Sequence, residues 1–205
     1  MPSQKLKELW PGLVVEPNES RAVEYKASMP WEDIKYSIAR AALGLANHRD
    51  GGVIVVGVRT IAGDRLEATG MDPETLASYQ QDDVHDFINK FAQTSMNLNA
   101  EVLEYEGSQF YVIEVGQFAA IPVISKKSSP PEHQGAGVRK DTIYARPSGK
   151  VETRPATAED LQEILELAAD VALRRYLERA RRVGINVTAG QPVDGEFYQR
   201  ERGDL

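Results

Sequence analysis

No cysteine occurs in the chain, so disulfides and thiolate-held metals are excluded. Histidine is scarce too: His48, His85 and His133 are scattered and have no metal-ligand spacing. There is no G-x-x-x-x-G-K-[ST] sequence, which removes a P-loop ATPase, and no G-x-S-x-G elbow, which removes a serine hydrolase of that type. No apolar run approaches the ~20 residues needed to cross a bilayer, and the longest, Val53 to Val58, is strand-sized. The opening MPSQKLKELW carries no apolar secretion stretch. A cytoplasmic place and no membrane partner are therefore expected.

Positive charge is also in short supply. Lys and Arg number 24 against 31 Asp and Glu, a formal net charge of -7. Nucleic-acid binding is driven by Lys and Arg releasing counterions from phosphates, so an acidic chain that binds it must concentrate its cations locally. Between residues 126 and 154 it does: Lys126, Lys127, Arg139, Lys140, Arg146, Lys150 and Arg154 outnumber Glu132, Asp141 and Glu152. The acidic charge lies elsewhere, mainly in Asp72 to Asp86 and Glu159 to Asp170. An ordinary solvated face explains such a run equally well.

The hydrophobic pattern predicts an α+β fold, with a mixed or antiparallel sheet flanked by helices and a long C-terminal helix. Residues 1–12 read as an N-terminal helix, Ser3 to Trp10, stopped by Pro11-Gly12. Residues 13–156 read as the main domain. Val23 and Tyr25 alternate with Glu24 and Lys26, the period of a half-buried strand. Ile34, Ile38, Ala41, Ala42 and Leu45 make one helical stripe over Trp31 to Asn47. Val53 to Val58 reads as a central strand covered on both faces, with Asp64 to Thr69 as an edge strand beside it. Gly57 inside that run implies close approach of another backbone. Pro73 to Phe91 reads as one helix with Asp72 as N-cap. Glu101 to Val115 reads as a hairpin, Pro122 to Ser125 and Thr142 to Arg146 as short strands, and Lys126 to Val138 as a mobile loop. A helix over 157–184 starts at Thr157, with Asp160 where a capping-box acid belongs. Its apolar stripe, followed by Arg174, Arg175, Arg179, Arg181 and Arg182, packs on the domain or on a second subunit. Residues 185–205 form a tail.

Three segments resemble the AlbA-like, Schlafen-type nucleic-acid-binding domain family. Glu19-Ser20-Arg21-Ala22-Val23-Glu24-Tyr25-Lys26 resembles its opening strand. Ala42 to Asn47, followed by Asp50-Gly51-Gly52 and Val53 to Val58, resembles its helix end, turn and strand. Ile143 to Lys150, followed by Arg154-Pro155-Ala156, resembles its closing strand and turn. The likeness spans about residues 13 to 160.

The first reading of function is a nucleic-acid binder, DNA or RNA, in which Arg21, Lys126, Lys127, Arg139, Lys140, Arg146 and Lys150 grip phosphates. Tyr144 is weighed as a base-stacking residue against a place in the core. The second reading is a metal-dependent endoribonuclease acting on structured RNA such as tRNA. Glu24 and Lys26 point the same way from one strand, and a turn brings Glu19 to the same patch. Two carboxylates and a lysine suit Mg²⁺ or Mn²⁺ beside a phosphate, with Glu19 and Glu24 as ligands and Lys26 on the developing charge. The resemblance implies a third acid after the Gly57-Val58 strand. Arg59-Thr60-Ile61-Ala62 stands there instead, with Asp64 beyond it and Asp50 out of place. The third reading is a regulatory subunit with a protein partner. A Schlafen core pairs two lobes in one chain, so a single lobe implies a homodimer.

Overall fold

The computed structural model describes residues 3–61, 65–133, 135, 137–147 and 152–185. The chain begins with α1 (Gln4–Val15), β1 (Val23–Lys26), α2 (Trp31–Ala46), β2 (Gly52–Val56), β3 (Val58–Thr60) and β4 (Leu66–Ala68). It continues with α3 (Pro73–Ala77), α4 (Gln81–Asn89), β5 (Leu98–Tyr105) and β6 (Ser108–Val115). A 3-10 turn at Pro131–His133 precedes β7 (Tyr144–Ala145), β8 (Arg154–Pro155) and α5 (Ala158–Arg182). The central sheet has the order β1-β2-β6-β5. β1 and β2 run parallel, and the other pairs are antiparallel, so the sheet is mixed and the fold is α+β.

Parallel neighbours require a crossover, and α2 supplies it. β2 is apolar throughout because helices cover both faces of the sheet. Ile54 and Val56 enter a core shared with α2, α4 and α5, while Val53 and Val55 enter a second core with Leu6, Trp10 and Val14 of α1. Thr157 and Asp160 form the expected capping box at the start of α5. No helix of the described residues is long and apolar enough to cross a membrane.

The structure departs from local sequence reading in four places. α1 runs through Pro11, because the apolar positions Leu6, Trp10 and Val14 continue at helical spacing past it and Pro11 itself is exposed. The apolar run Val53 to Val58 is broken at Gly57, whose φ is +113 and whose added Cβ would sit 3.0 Å from the Gly70 backbone. β4 consequently pairs with β3, not with β2. Residues 73–91 are two helices. The break lets the Tyr79 ring turn into the core, where its hydroxyl donates to Met29 O at 2.7 Å.

The fourth departure is the loop from Lys126 to Val138, which is tied down. Ser129 N donates to Val138 O at 2.9 Å, and Val138 N returns a bond to Ser129 Oγ at 2.8 Å. Arg40 of α2 donates to Gly135 O at 3.1 Å. Composition marked the turns but not these contacts with distant elements. Asp64, Ser148, Gly149, Lys150 and the tail beyond Ile185 lie outside the described residues.

Candidate functional site

β1 is an edge strand, and its alternation sends Tyr25 into the α1-side core and Glu24 to the opposite face. Glu24 is buried there. Its Oε1 accepts from Lys26 Nζ at 2.6 Å, and its Oε2 pairs with Arg146 Nη1. Burial opposes the charge on Glu24, but Lys26 and Arg146 outweigh it and hold the carboxyl below its ordinary value. Glu19 lies beside this group. Burial and the Glu24 carboxylate push the Glu19 carboxyl up, against the pull of Arg146, Lys26 and the Tyr25 N–H. Glu19, Glu24 and Lys26 are therefore one cluster, as their spacing predicts.

Arg146 changes what that cluster is. The residue is only 2% exposed. Nε donates to Arg21 O at 2.8 Å, Nη2 to Ser20 O at 2.8 Å and Val23 O at 3.0 Å, and Nη1 to Thr153 Oγ1 at 3.1 Å as well as to Glu24. Every guanidinium N–H is used. The expectation that Arg146 grips phosphate is corrected: a buried, fully bonded guanidinium clamps the start of β1 to the β7–β8 ribbon. Arg21 is engaged as well. It donates to Arg146 O at 2.8 Å and to both oxygens of Glu163 on α5, at 2.7 and 2.8 Å.

These residues do not suit a divalent ion. Each oxygen of Glu24 already faces a cation, and two carboxylates beside Lys26 and Arg146 leave no surplus negative charge to hold Mg²⁺ or Mn²⁺. Among the described residues no group of three or more His, Asp or Glu is placed to hold a metal.

Four of the other sequence-predicted cations lie at the base of the 126–140 loop. Lys126, Lys127, Arg139 and Lys140 are all exposed. The two legs of the loop are joined beneath them: buried Ser125 donates to Arg139 O and accepts from Thr142 N at 3.0 Å, and Lys140 N donates to Ser128 Oγ at 3.0 Å. Lys126 N also donates to Phe91 O at 2.7 Å, which docks the loop on the end of α4. That docking recruits Lys90, which sequence reading missed. Partial burial, then Lys90 and Lys126, lower the Lys127 pKa. The only available signal was the position of Lys90 at the C-cap of α4, where cations are favoured. Tyr144 is no stacking platform. It is 1% exposed, and its hydroxyl accepts from Arg139 N at 2.7 Å.

This arrangement can be set beside known proteins. The family described as Schlafen, AlbA_2 matches residues 19–153. The chain belongs to that family. The matched Schlafen, AlbA_2 segment begins at Glu19 and ends at Thr153, so it holds the Glu24–Arg146 pair and the basic loop. Among solved structures, a Corynebacterium diphtheriae protein, DIP2311, superposes with a TM-score of 0.50 at 15% identity. The match covers 78% of this chain and only 28% of that one, and it speaks for the fold alone. The N-terminal domain of an ATP-dependent DNA helicase RecG-related protein from Nitrosomonas europaea gives a TM-score of 0.43 at 20% identity, over 68% of this chain and 88% of that one. No curated protein matches the chain.

Proposed function

We propose that this Schlafen, AlbA_2 domain binds nucleic acid, with phosphates lying on Lys90, Lys126, Lys127, Arg139 and Lys140. The observation that carries the reading is the docking of Lys126 N on Phe91 O and of the Lys127 ammonium 4.7 Å from the Phe91 ring, which gathers Lys126 and Lys127 beside Lys90 on a chain whose net charge is -7. Cations of one sign gathered at a surface raise the energy of the free protein, and a bound polyanion relieves it. Family membership supports the same reading. Lys150 stays in the proposal as a residue of the same stretch, whereas Arg21 and Arg146 leave it because their guanidinium groups hold the fold together.

The test is fluorescence anisotropy of the full chain with labelled tRNA, single-stranded DNA and duplex DNA across a salt series. Log affinity should fall with log salt, by about 0.7 to 0.9 per phosphate neutralised. Lys126→Ala with Lys127→Ala should weaken binding and flatten that slope. Absent binding, or binding indifferent to salt and to these lysines, removes the proposal and favours a protein partner.

Cleavage is not part of the proposal, because Glu24 serves Arg146 and Lys26. The same mixtures run on denaturing gels with Mn²⁺ check this. Metal-dependent cutting lost in Glu19→Gln would replace the binding reading with the endoribonuclease one. Pairing of two copies belongs to the proposal as a separate element. Sedimentation of the free chain tests it, and a monomer removes it without touching the phosphate contacts.

A further inference from the structure

The basic loop brings an aromatic ring with it. His133, in the 3-10 turn, lies on Tyr36 of α2 with ring centroids 4.5 Å apart and planes 32° from parallel. Both residues are partly exposed. They rest on a rigid base. Tyr36 meets Phe87 at 5.3 Å and Phe91 at 5.9 Å in edge-on contacts, and Phe91 is buried. Cations frame the rings. The Lys127 ammonium stands 4.7 Å from the Phe91 centroid, and Lys35 stands 5.5 Å from Tyr36 and 5.1 Å from Phe87. Arg40 holds the far side of the loop to α2 through Gly135 O.

Tyr36 and Phe87 pack against the main core, and His133 extends that aromatic stack outward from the loop. An aromatic pair next to a row of lysines matches what an unpaired nucleotide presents: a flat π-face beside a phosphate. A duplex keeps its base faces stacked on each other and offers a surface platform little beyond phosphates. We infer that the site takes single-stranded nucleic acid, with a base stacked on the Tyr36–His133 pair and the adjoining phosphates on Lys127, Lys126 and Lys90. This inference rests on the phosphate-binding reading above and narrows it to unpaired strands.

His133→Ala in the full chain tests it, with labelled single-stranded RNA, single-stranded DNA and the matching duplex as probes. Loss of one stacked base should weaken both single-stranded probes about tenfold. Duplex affinity and the salt slope should stay as they are. His133→Phe, which keeps a ring in the loop, should restore single-strand affinity. A 2-aminopurine base in the oligonucleotide should be quenched on binding, and less so in His133→Ala. Tyr36→Leu is the weaker probe, since it also opens the aromatic base. Unchanged single-strand affinity in His133→Ala, or an equal loss on duplex and single strands, overturns the stacking inference. The lysine variants remain separate, because a flattened salt slope with His133→Ala inert keeps the phosphate reading and discards only the base platform.

Discussion

Glu24 and Arg146 are 122 residues apart in sequence and share one buried ion pair, with the Arg146 guanidinium also spanning the backbone carbonyls of Ser20, Arg21 and Val23. Removing one partner of a buried pair leaves the other charge unsatisfied, which costs far more than the pair contributes net. Arg146→Met should therefore lower unfolding stability by about 3 to 5 kcal/mol, read from the urea midpoint. Arg146→Lys should recover little, since one ammonium cannot reach the acceptors that the planar fork serves. Glu24→Gln strands Arg146 in the same way, so any loss of function in that variant has to be read against its folding.

Glu19 behaves in the opposite sense. Its carboxyl is raised in the folded chain by burial and by the Glu24 charge, so the ionised form works against folding at neutral pH. A raised acid contributes stability below its unfolded value, and that contribution is lost as pH climbs through the folded value. Glu19→Gln should raise the melting temperature modestly at pH 7. Its advantage should shrink to nothing as pH falls below about 4.5, the ordinary glutamate value. A variant less stable than the parent at pH 7 would mean that Glu19 holds a favourable contact instead.

Asn47 is the hinge pin of the closing ribbon. It is buried, accepts from Val123 N at 2.7 Å, and donates to Val123 O at 2.9 Å and Tyr144 O at 3.1 Å. Alanine at this position orphans three backbone groups, each worth about 1 to 3 kcal/mol when buried unpaired. Asn47→Ala should cost about 3 kcal/mol or more in chemical denaturation. A loss under about 1 kcal/mol would mean that water replaces the side chain.

Lys90→Ala separates charge from architecture. The side chain is exposed at the end of α4, so the melting temperature should not move. The salt slope of nucleic-acid binding should fall by about one unit, equally for single strands and duplex. A normal slope would take Lys90 off the phosphate path.

Local signals in the sequence carried much of the fold. The alternation of Val23 to Lys26, the apolar β2, the Thr157 to Asp160 capping box and the hairpin read over Glu101 to Val115 are all short-range patterns, and each is seen in the structure, the hairpin starting three residues earlier at Leu98. What escaped depends on contacts between distant segments. Pro11 reads as a stop until the sheet is there to bury Val14. Residues 78–80 read as helix until the Tyr79 ring finds the core. Arg146 sits in a run of cations, and nothing local distinguishes a buried clamp from a surface grip. Lys90 joins the basic loop only because Lys126 N docks on Phe91 O. The pairing of Glu24 with Lys26 was legible from strand period, and Glu19 joined them through a turn; the occupation of that cluster by Arg146 was not legible.

The borders of the family match, residues 19 and 153, fall inside the folded body. α1 lies before them and α5 after them, yet Leu6, Trp10 and Val14 cover one core and Ile164, Leu167 and Val171 cover the other. A fragment cut at those borders would keep the opening strand, the Asn47 turn and Arg146 while leaving two oily faces open to water. It would also lose Glu163, the acid that holds Arg21. Exposed apolar patches of that size invite association. Such a fragment should clump more readily than the whole chain, because the stretch that heredity marks as a unit is smaller than the body that must fold at once.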